Sequence, residues 1–175
     1  MKEIHPRRID DIEIAVPGSN SLTHRLLIAA ALTDGTCTIE NALSSEDTRL
    51  TMQALSKLVI AIEQAGEKVV VCGRRGVLGP FPDPIFLGNS GTSMRLLTAG
   101  AALGRGPSRL TGSSRMEERP VQDLFASLTQ TGIVDRSLTG NGCHPFEMNG
   151  GSVTGGSVTV DCTTSRQYLS ALLLM

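Results

Sequence analysis

The stretch LGNSGTSMRLLTAGAAL, residues 87–103, crowds Gly, Asn, Ser, Gly and Thr into one short run, places Arg95 after a methionine, and then turns apolar. Small polar residues ahead of an apolar run at helical spacing predict a helix with a mouth of hydroxyl and glycine residues. An echo lies upstream in VPGSNSLTHRLLIAAAL, residues 16–32, where Arg25 stands 70 positions before Arg95. After each run comes a glycine turn and a short alternating strand, DGTCTIENA and RGPSRLTGS. Acidic, helix-opening segments follow, SSEDTRLTMQALSKL and SSRMEERPVQDLFASL, and then a closing strand, EKVVVCG in the first unit and SLTGNG in the second. A third copy begins at TTSRQYLSALLLM, with Gln167 in the place of the arginines, 72 positions after Arg95. Self-similarity at a fixed period outweighs any local propensity, because chance would have to reproduce turn, helix, strand and helix in order. The chain therefore reads as a repeat of strand, helix, strand, helix, strand with a unit near seventy residues, an α/β arrangement of small sheets covered by helices. The sequence stops inside its third unit. The leading DIEIAV alternates strictly and predicts a half-buried strand, ended by Pro17 and Gly18.

Composition narrows the function. With 16 Lys+Arg against 17 Asp+Glu there is no net basic field to attract a polyanion, and 3% aromatic residues with no Trp leave no platform for stacking bases. Nucleic acid is excluded as a partner on these grounds. Cys37, Cys72, Cys143 and Cys162 show no C-x-x-C spacing and form no ligand pattern with His5, His24 and His144, so they read as reduced thiols and no metal is expected. The apolar runs LLIAAAL and LSALLLM fall short of the ~20 residues of a membrane span. MKEIHPRRIDD lacks the apolar core of a signal peptide, which makes the cytoplasm the expected location.

The helix mouths carry the functional signal. A helix leaves its first N–H groups unpaired and bears partial positive charge there, so a mouth of glycine and hydroxyl residues accepts an anion closely. Ser19, Ser21 and Thr23, then Asn89, Gly91 and Thr92, then Thr164 and Ser165 occupy such positions. Any one of them is explained by ordinary capping. An arginine in the first turn is not, because it opposes the helix dipole unless something negative faces it, and the pattern occurs twice. In RMEERPVQDL, Arg115 and Arg119 stand beside Glu117 and Glu118, and Pro120 suits the first turn of a helix, which would turn Arg119 toward a ligand. No phosphate-loop or dinucleotide signature appears, and no Ser-His-Asp or Cys-His set; His24 reads as a packing or surface residue rather than a base.

Taken in order, PGSNSLTHR, LGNSGTSMR, RMEERPVQDL, GGSVTGGSVTVD and SRQYLSALLLM resemble the N-terminal part of the 5-enolpyruvylshikimate-3-phosphate synthases, a branch of the enolpyruvyl transferase family, across essentially the whole chain. The resemblance implies an α/β (α+β) fold of repeated βαβαββ units forming an inverse α/β barrel-like lobe, about two and a half of them present, with helix N-termini converging on a cleft between two lobes. It implies residues 1–15 as a strand segment joining the other lobe and 16–175 as the N-terminal lobe, with units near 16–86, 87–155 and 156–175. Shikimate 3-phosphate and phosphoenolpyruvate are the substrates it implies, with no metal or organic cofactor. Ser21, Arg25, Ser165 and Gln167 would bind shikimate 3-phosphate; Gly91 and Arg119 would hold phosphoenolpyruvate, with Asn89, Thr92 and Arg95 shaping that pocket. The acid/base residues would belong to a C-terminal half.

Three positions depart from the family pattern. Asn20 stands where a lysine contacts phosphoenolpyruvate, Arg166 replaces a small hydroxyl that touches the phosphate, and Leu96 replaces a proline whose loss would shift the helix carrying Gly91 and Thr92. The missing cation and Leu96 together lead to an expectation of weakened binding of glyphosate, the inhibitor of that pocket. Two rival readings remain: a UDP-N-acetylglucosamine enolpyruvyl transferase, which GNSGTSMR and SRQYLSALL fit less well, and a non-catalytic module that binds an anion or a separate C-terminal half.

Overall fold

The computed structural model describes residues 5, 11–79, 84–151 and 153–175. The first unit runs α1 (Asn20–Leu32), β1 (Asp34–Ile39), α2 (Glu46–Lys57), β2 (Ala61–Ala65) and β3 (Lys68–Arg74). The second runs β4 (Ile85–Phe86), α3 (Gly91–Leu103), β5 (Gly106–Thr111), α4 (Gln122–Thr129), β6 (Val134–Ser137) and β7 (Phe146–Gly150), and α5 (Gln167–Leu173) opens the third. Both sheets use one antiparallel plan, β1-β3-β2 and β5-β7-β6, to which the second adds β4 in parallel on β5. The second unit is thus a complete βαβαββ.

The local signals work as their chemistry requires. Ser19 and Ser90 cap α1 and α3 by accepting from the amides of Leu22 and Ser93. Ser45 and Thr48 form a reciprocal capping box at α2, whose first turn carries Glu46 and Asp47 where the dipole favours them. Helix α3 is apolar nearly all round, and it is buried nearly all round, packed against α1, α2, α4 and α5. Leu96 lies in that buried set and α3 runs through it unbroken. The sheets lie outside this helical layer and turn alternate residues inward, Val69 and Val71 from β3 and Phe146 and Met148 from β7. One continuous core results, with Leu27, Leu55, Leu97, Leu124 and Tyr168 essentially sealed from solvent.

Four elements differ from the sequence reading. Residues 11–16 of DIEIAV form no strand, and Ile12, Ile14 and Val16 are 63%, 72% and 71% exposed; no neighbouring strand among the described residues offers their backbone a partner. Residue 10 lies outside the described residues, as does Ser152 of GGSVTGGSVTVD. Of SLTGNG only Ser137 is strand, the last residue of β6, and 138–142 bend away; the unit closes instead on a hairpin, β6 with β7, as β2 with β3 does in the first unit. The AIEQA strand escaped notice because it is an exposed sheet edge with no apolar alternation. Finally, α4 begins at Gln122, after Pro120, so RMEERP is not a helix opening. It winds through turns closed by Met116 N–H to Ser113, Glu117 N–H to Ser114 and Arg119 N–H to Met116 carbonyls. Pro120 is held in a bridge to Cys143.

The repeat extends to a close contact. Strand β3 crosses the C-terminal end of α1 at Gly73, and β7 crosses that of α3 at Gly150. A Cβ on Gly150 would lie 2.5 Å from the carbonyl oxygens of both Ala101 and Gly104, and one on Gly73 would meet those of Ala30 and Thr33. Backbone cannot swing aside as a side chain can, so Gly150→Ala is expected to cost about 2 kcal/mol. Urea unfolding checks this against Gly155→Ala, where a Cβ meets nothing within 4 Å and the change should stay within about 0.5 kcal/mol.

Candidate functional site

Three helix starts and one turn supply the site. The arginines lie one turn deeper than the sequence reading placed them: Arg25 is in the second turn of α1 and Arg95 in the second turn of α3. Side chains on a helix lean toward its N-terminus, so both guanidinium groups still reach the mouth, and the dipole penalty expected for a first-turn cation is smaller there. Arg25 Nη1 donates to the Ser21 carbonyl at 2.9 Å, and its Nη2 donates to Ser170 Oγ on α5 at 2.9 Å. Arg95 Nη1 donates to Gln167 Oε1 at 2.8 Å, and Gln167 Nε2 donates to Thr92 Oγ1 at 2.9 Å. The Arg95 guanidinium also sits 5.7 Å over the ring of Tyr168, whose hydroxyl donates to the Pro120 carbonyl at 2.9 Å.

Gly91 is the point where two cations meet. A Cβ built there would lie 2.9 Å from Arg119 Nη1 and 3.2 Å from Arg95 Nη1. The turn carrying Arg119 and the helix carrying Arg95 therefore deliver two guanidinium groups to the first residue of α3, and only a residue without a side chain leaves them room. Ser165 Oγ accepts from the Gln167 amide at 3.2 Å, fixing the start of α5. Arg166, Ser21 and Asn89 are exposed around this set, and Asn20 is half-buried. Asn20 Oδ1 accepts from Ser45 Oγ at 3.2 Å, so this side chain ties α1 to the cap of α2. Residues 20, 21, 25, 89, 91, 92, 95, 119 and 165–167 include no carboxylate. Such a surface, rich in fixed donors and cations, suits an anion. A cavity of about 460 Å3 between Phe125, Phe146 and Asn141 is lined by no charged residue and does not.

Tyr168 and Ser170 were missed in the sequence. The available signal was their spacing, since they lie one and three positions after Gln167 on the same short helix.

Neither buried histidine in the core supplies a base. Burial holds His24 below the usual imidazole range; the Asp47 charge opposes this and the Arg25 charge adds to it. Burial pushes His144 from 6.5 down to about 4, the Arg95 charge acts the same way, and the nearby Leu110 backbone opposes both although neither ring nitrogen has a hydrogen-bond partner among the described residues. Between those values the unfolded chain binds the proton that the native state refuses, so the stability from a neutral His144 is whole above pH 6.5 and is lost as pH falls toward 4. The loss amounts to about 1.4 kcal/mol per pH unit. Urea unfolding between pH 7 and 4.5 should show that slope, and His144→Gln should remove one proton's share of it. A slope unchanged by the substitution would exclude His144 as its source.

No helix of the described residues is long and apolar enough to cross a membrane, and no cluster of three His, Cys, Asp or Glu among them could hold a metal ion.

The family model described as EPSP synthase (3-phosphoshikimate 1-carboxyvinyltransferase) matches residues 7–175. The chain is 39% identical over 180 residues to a 3-phosphoshikimate 1-carboxyvinyltransferase of Shewanella denitrificans, covering 100% of this chain and 42% of that protein. It is 40% identical to that of Shewanella amazonensis, over 93% of this chain and 39% of the relative. The solved EPSP synthase from Acinetobacter baumannii superposes with a TM-score of 0.85 at 29% identity, over 92% of this chain and 37% of that one. The chain belongs to the EPSP synthase family. It spans about two fifths of the length of the relatives it matches.

Proposed function

We propose that the chain is the N-terminal lobe of a 3-phosphoshikimate 1-carboxyvinyltransferase, acting on shikimate 3-phosphate and phosphoenolpyruvate in the cytoplasm. The observation that carries this reading is the convergence of Arg95 and Arg119 on Gly91, with Gln167 joining that mouth to the start of α5. Ser21, Arg25, Ser165 and Gln167 would bind shikimate 3-phosphate, with exposed Arg166 adding a cation beside its phosphate. Gly91 and Arg119 would hold phosphoenolpyruvate, and Asn89, Thr92 and Arg95 would shape its pocket. The reaction joins the 5-hydroxyl oxygen to C2 of the enolpyruvyl group as the hydroxyl gives up its proton to a base and a proton is delivered to C3; phosphate then departs as C3 gives up a proton and the double bond re-forms. These residues would contribute orientation and stabilisation of developing negative charge, while proton transfer falls to the C-terminal half. Residues 16–175 form the lobe in this reading; the 1–15 segment, of which 1–4 and 6–10 lie outside the described residues, is assigned to the join with the other lobe by resemblance alone.

The Asn20–Ser45 bond favours a second reading. A family lysine is absent there and its replacement serves packing between α1 and α2, as expected of a module that has lost catalysis and binds an anion or a partner chain. Mixing the chain with a separately expressed C-terminal half and measuring phosphate release from the two substrates separates the readings. Turnover in the mixture supports the enzyme; no turnover with tight association supports the module.

A further inference from the structure

A line of buried hydroxyl groups runs through the centre of the molecule, and no residue of it belongs to the proposed ligand contacts. His24 Nδ1 lies 2.8 Å from Thr51 Oγ1, Thr51 Oγ1 lies 2.8 Å from Ser93 Oγ, and Ser93 Oγ lies 2.6 Å from Ser90 Oγ. All four residues are 0% exposed. The line starts on α1, passes through α2 and ends on the cap of α3, between Asn89 and Gly91. Ser93 Oγ also donates to the Asp47 carbonyl in the first turn of α2 at 3.2 Å.

The protons can be placed by elimination. If the single hydroxyl proton of Ser93 goes to the Asp47 carbonyl, the close Ser90 hydroxyl donates to Ser93 Oγ. The remaining lone pair of Ser93 is filled if Thr51 donates to it, and Thr51 must then accept from His24 Nδ1–H. Every hydroxyl in the line is then used, and His24 is the neutral tautomer protonated at Nδ1, with its buried Nε2 left without a hydrogen-bond partner among the described residues.

Buried hydroxyl groups are costly unless paired, and a run of paired hydroxyls holds its members in one arrangement. We propose that His24, Thr51 and Ser93 are positioning residues that fix Ser90, and through it the backbone of Asn89, Gly91 and Thr92, in the geometry that admits phosphoenolpyruvate. The inference rests on the proposed function for its ligand and on the observed hydrogen-bond geometry for its mechanism. It separates two jobs of α1: Arg25 faces the ligand side, while the adjacent His24 faces inward and sets the mouth of a different helix.

Thr51→Val keeps the shape of the side chain and removes the hydroxyl at the middle of the line. In the full-length protein it should raise KM for phosphoenolpyruvate at least tenfold and leave KM for shikimate 3-phosphate within twofold, with Thr51→Ser restoring the first. Both constants rising together, neither moving, or no rescue by serine would overturn the proposal. Hydrogen exchange gives a test independent of turnover: Thr51→Val should speed exchange of the Gly91 to Met94 amides at least tenfold more than that of the amides in the last turn of α3. Uniform acceleration, or none, would show that the hydroxyl contributes only to general stability. Absence of turnover in the unsubstituted full-length protein would sink the functional reading and leave the exchange pattern to decide this one. In the unsubstituted protein the His24 ring nitrogens should show the proton on Nδ1; a proton on Nε2 would make Thr51 the donor to Nδ1 and overturn this placement of the protons.

Discussion

Arg25→Ala in the full-length protein is expected to lower affinity for shikimate 3-phosphate by about a thousandfold, enough to erase the heat of a calorimetric titration. The guanidinium is held at the junction of α1 and α5 by the Ser21 carbonyl and Ser170 Oγ, which orients it before any ligand arrives. Two charge-assisted hydrogen bonds to a phosphate at about 1.5–3 kcal/mol each sum to roughly 4 kcal/mol, or three decades in affinity. Arg25→Lys restores charge without the planar fork and should recover only part of the loss. Both partners of Arg25 in the fold are neutral, so the midpoint of unfolding should move little. An unchanged heat would remove Arg25 from the site.

Gly91→Ala should separate binding from stability. The added methyl meets Arg119 Nη1 and Arg95 Nη1, the far ends of two flexible side chains, so the guanidinium groups give way and the helix does not. Alanine is also the better helix former by up to about 1 kcal/mol, so the variant should unfold no more easily than the parent. The anion, however, loses both the displaced cations and its close approach to the first amides of α3. A rise of about a hundredfold in KM for phosphoenolpyruvate is expected, equivalent to roughly 3 kcal/mol, with little change for shikimate 3-phosphate. An unchanged KM would mean that the ligand does not approach Gly91.

How much of this was legible beforehand can be followed residue by residue. Ser19, Ser45 and Ser90 announce their helices because a cap acts on amides two or three residues away. The echo of 16–32 in 87–103 revealed the duplicated unit for the same reason, since each copy carries its own turn, helix and strand signals. The convergence of Arg119 on Gly91 was an expectation from family resemblance alone; its spacing of 28 positions says nothing of proximity. The alternation of DIEIAV misled because a strand needs a partner, and the partner is not written in the strand. RMEERP misled likewise: proline is compatible with a first helical turn, but the bridge from Pro120 to Cys143 and the Tyr168 hydroxyl hold it outside one.

The sequence by itself determined the repeated α/β unit, the starts of α1, α2 and α3, and the family. Only the tertiary structure decided how each polar side chain is spent: Arg95 on Gln167, Arg25 on Ser170, Asn20 on Ser45 and His24 on Thr51. The division has a physical cause. Caps, turns and periodicities act between residues within one helical turn and are therefore written locally, whereas these partners stand 25 to 145 positions apart, brought within 3.2 Å only by the packing of one helix on another.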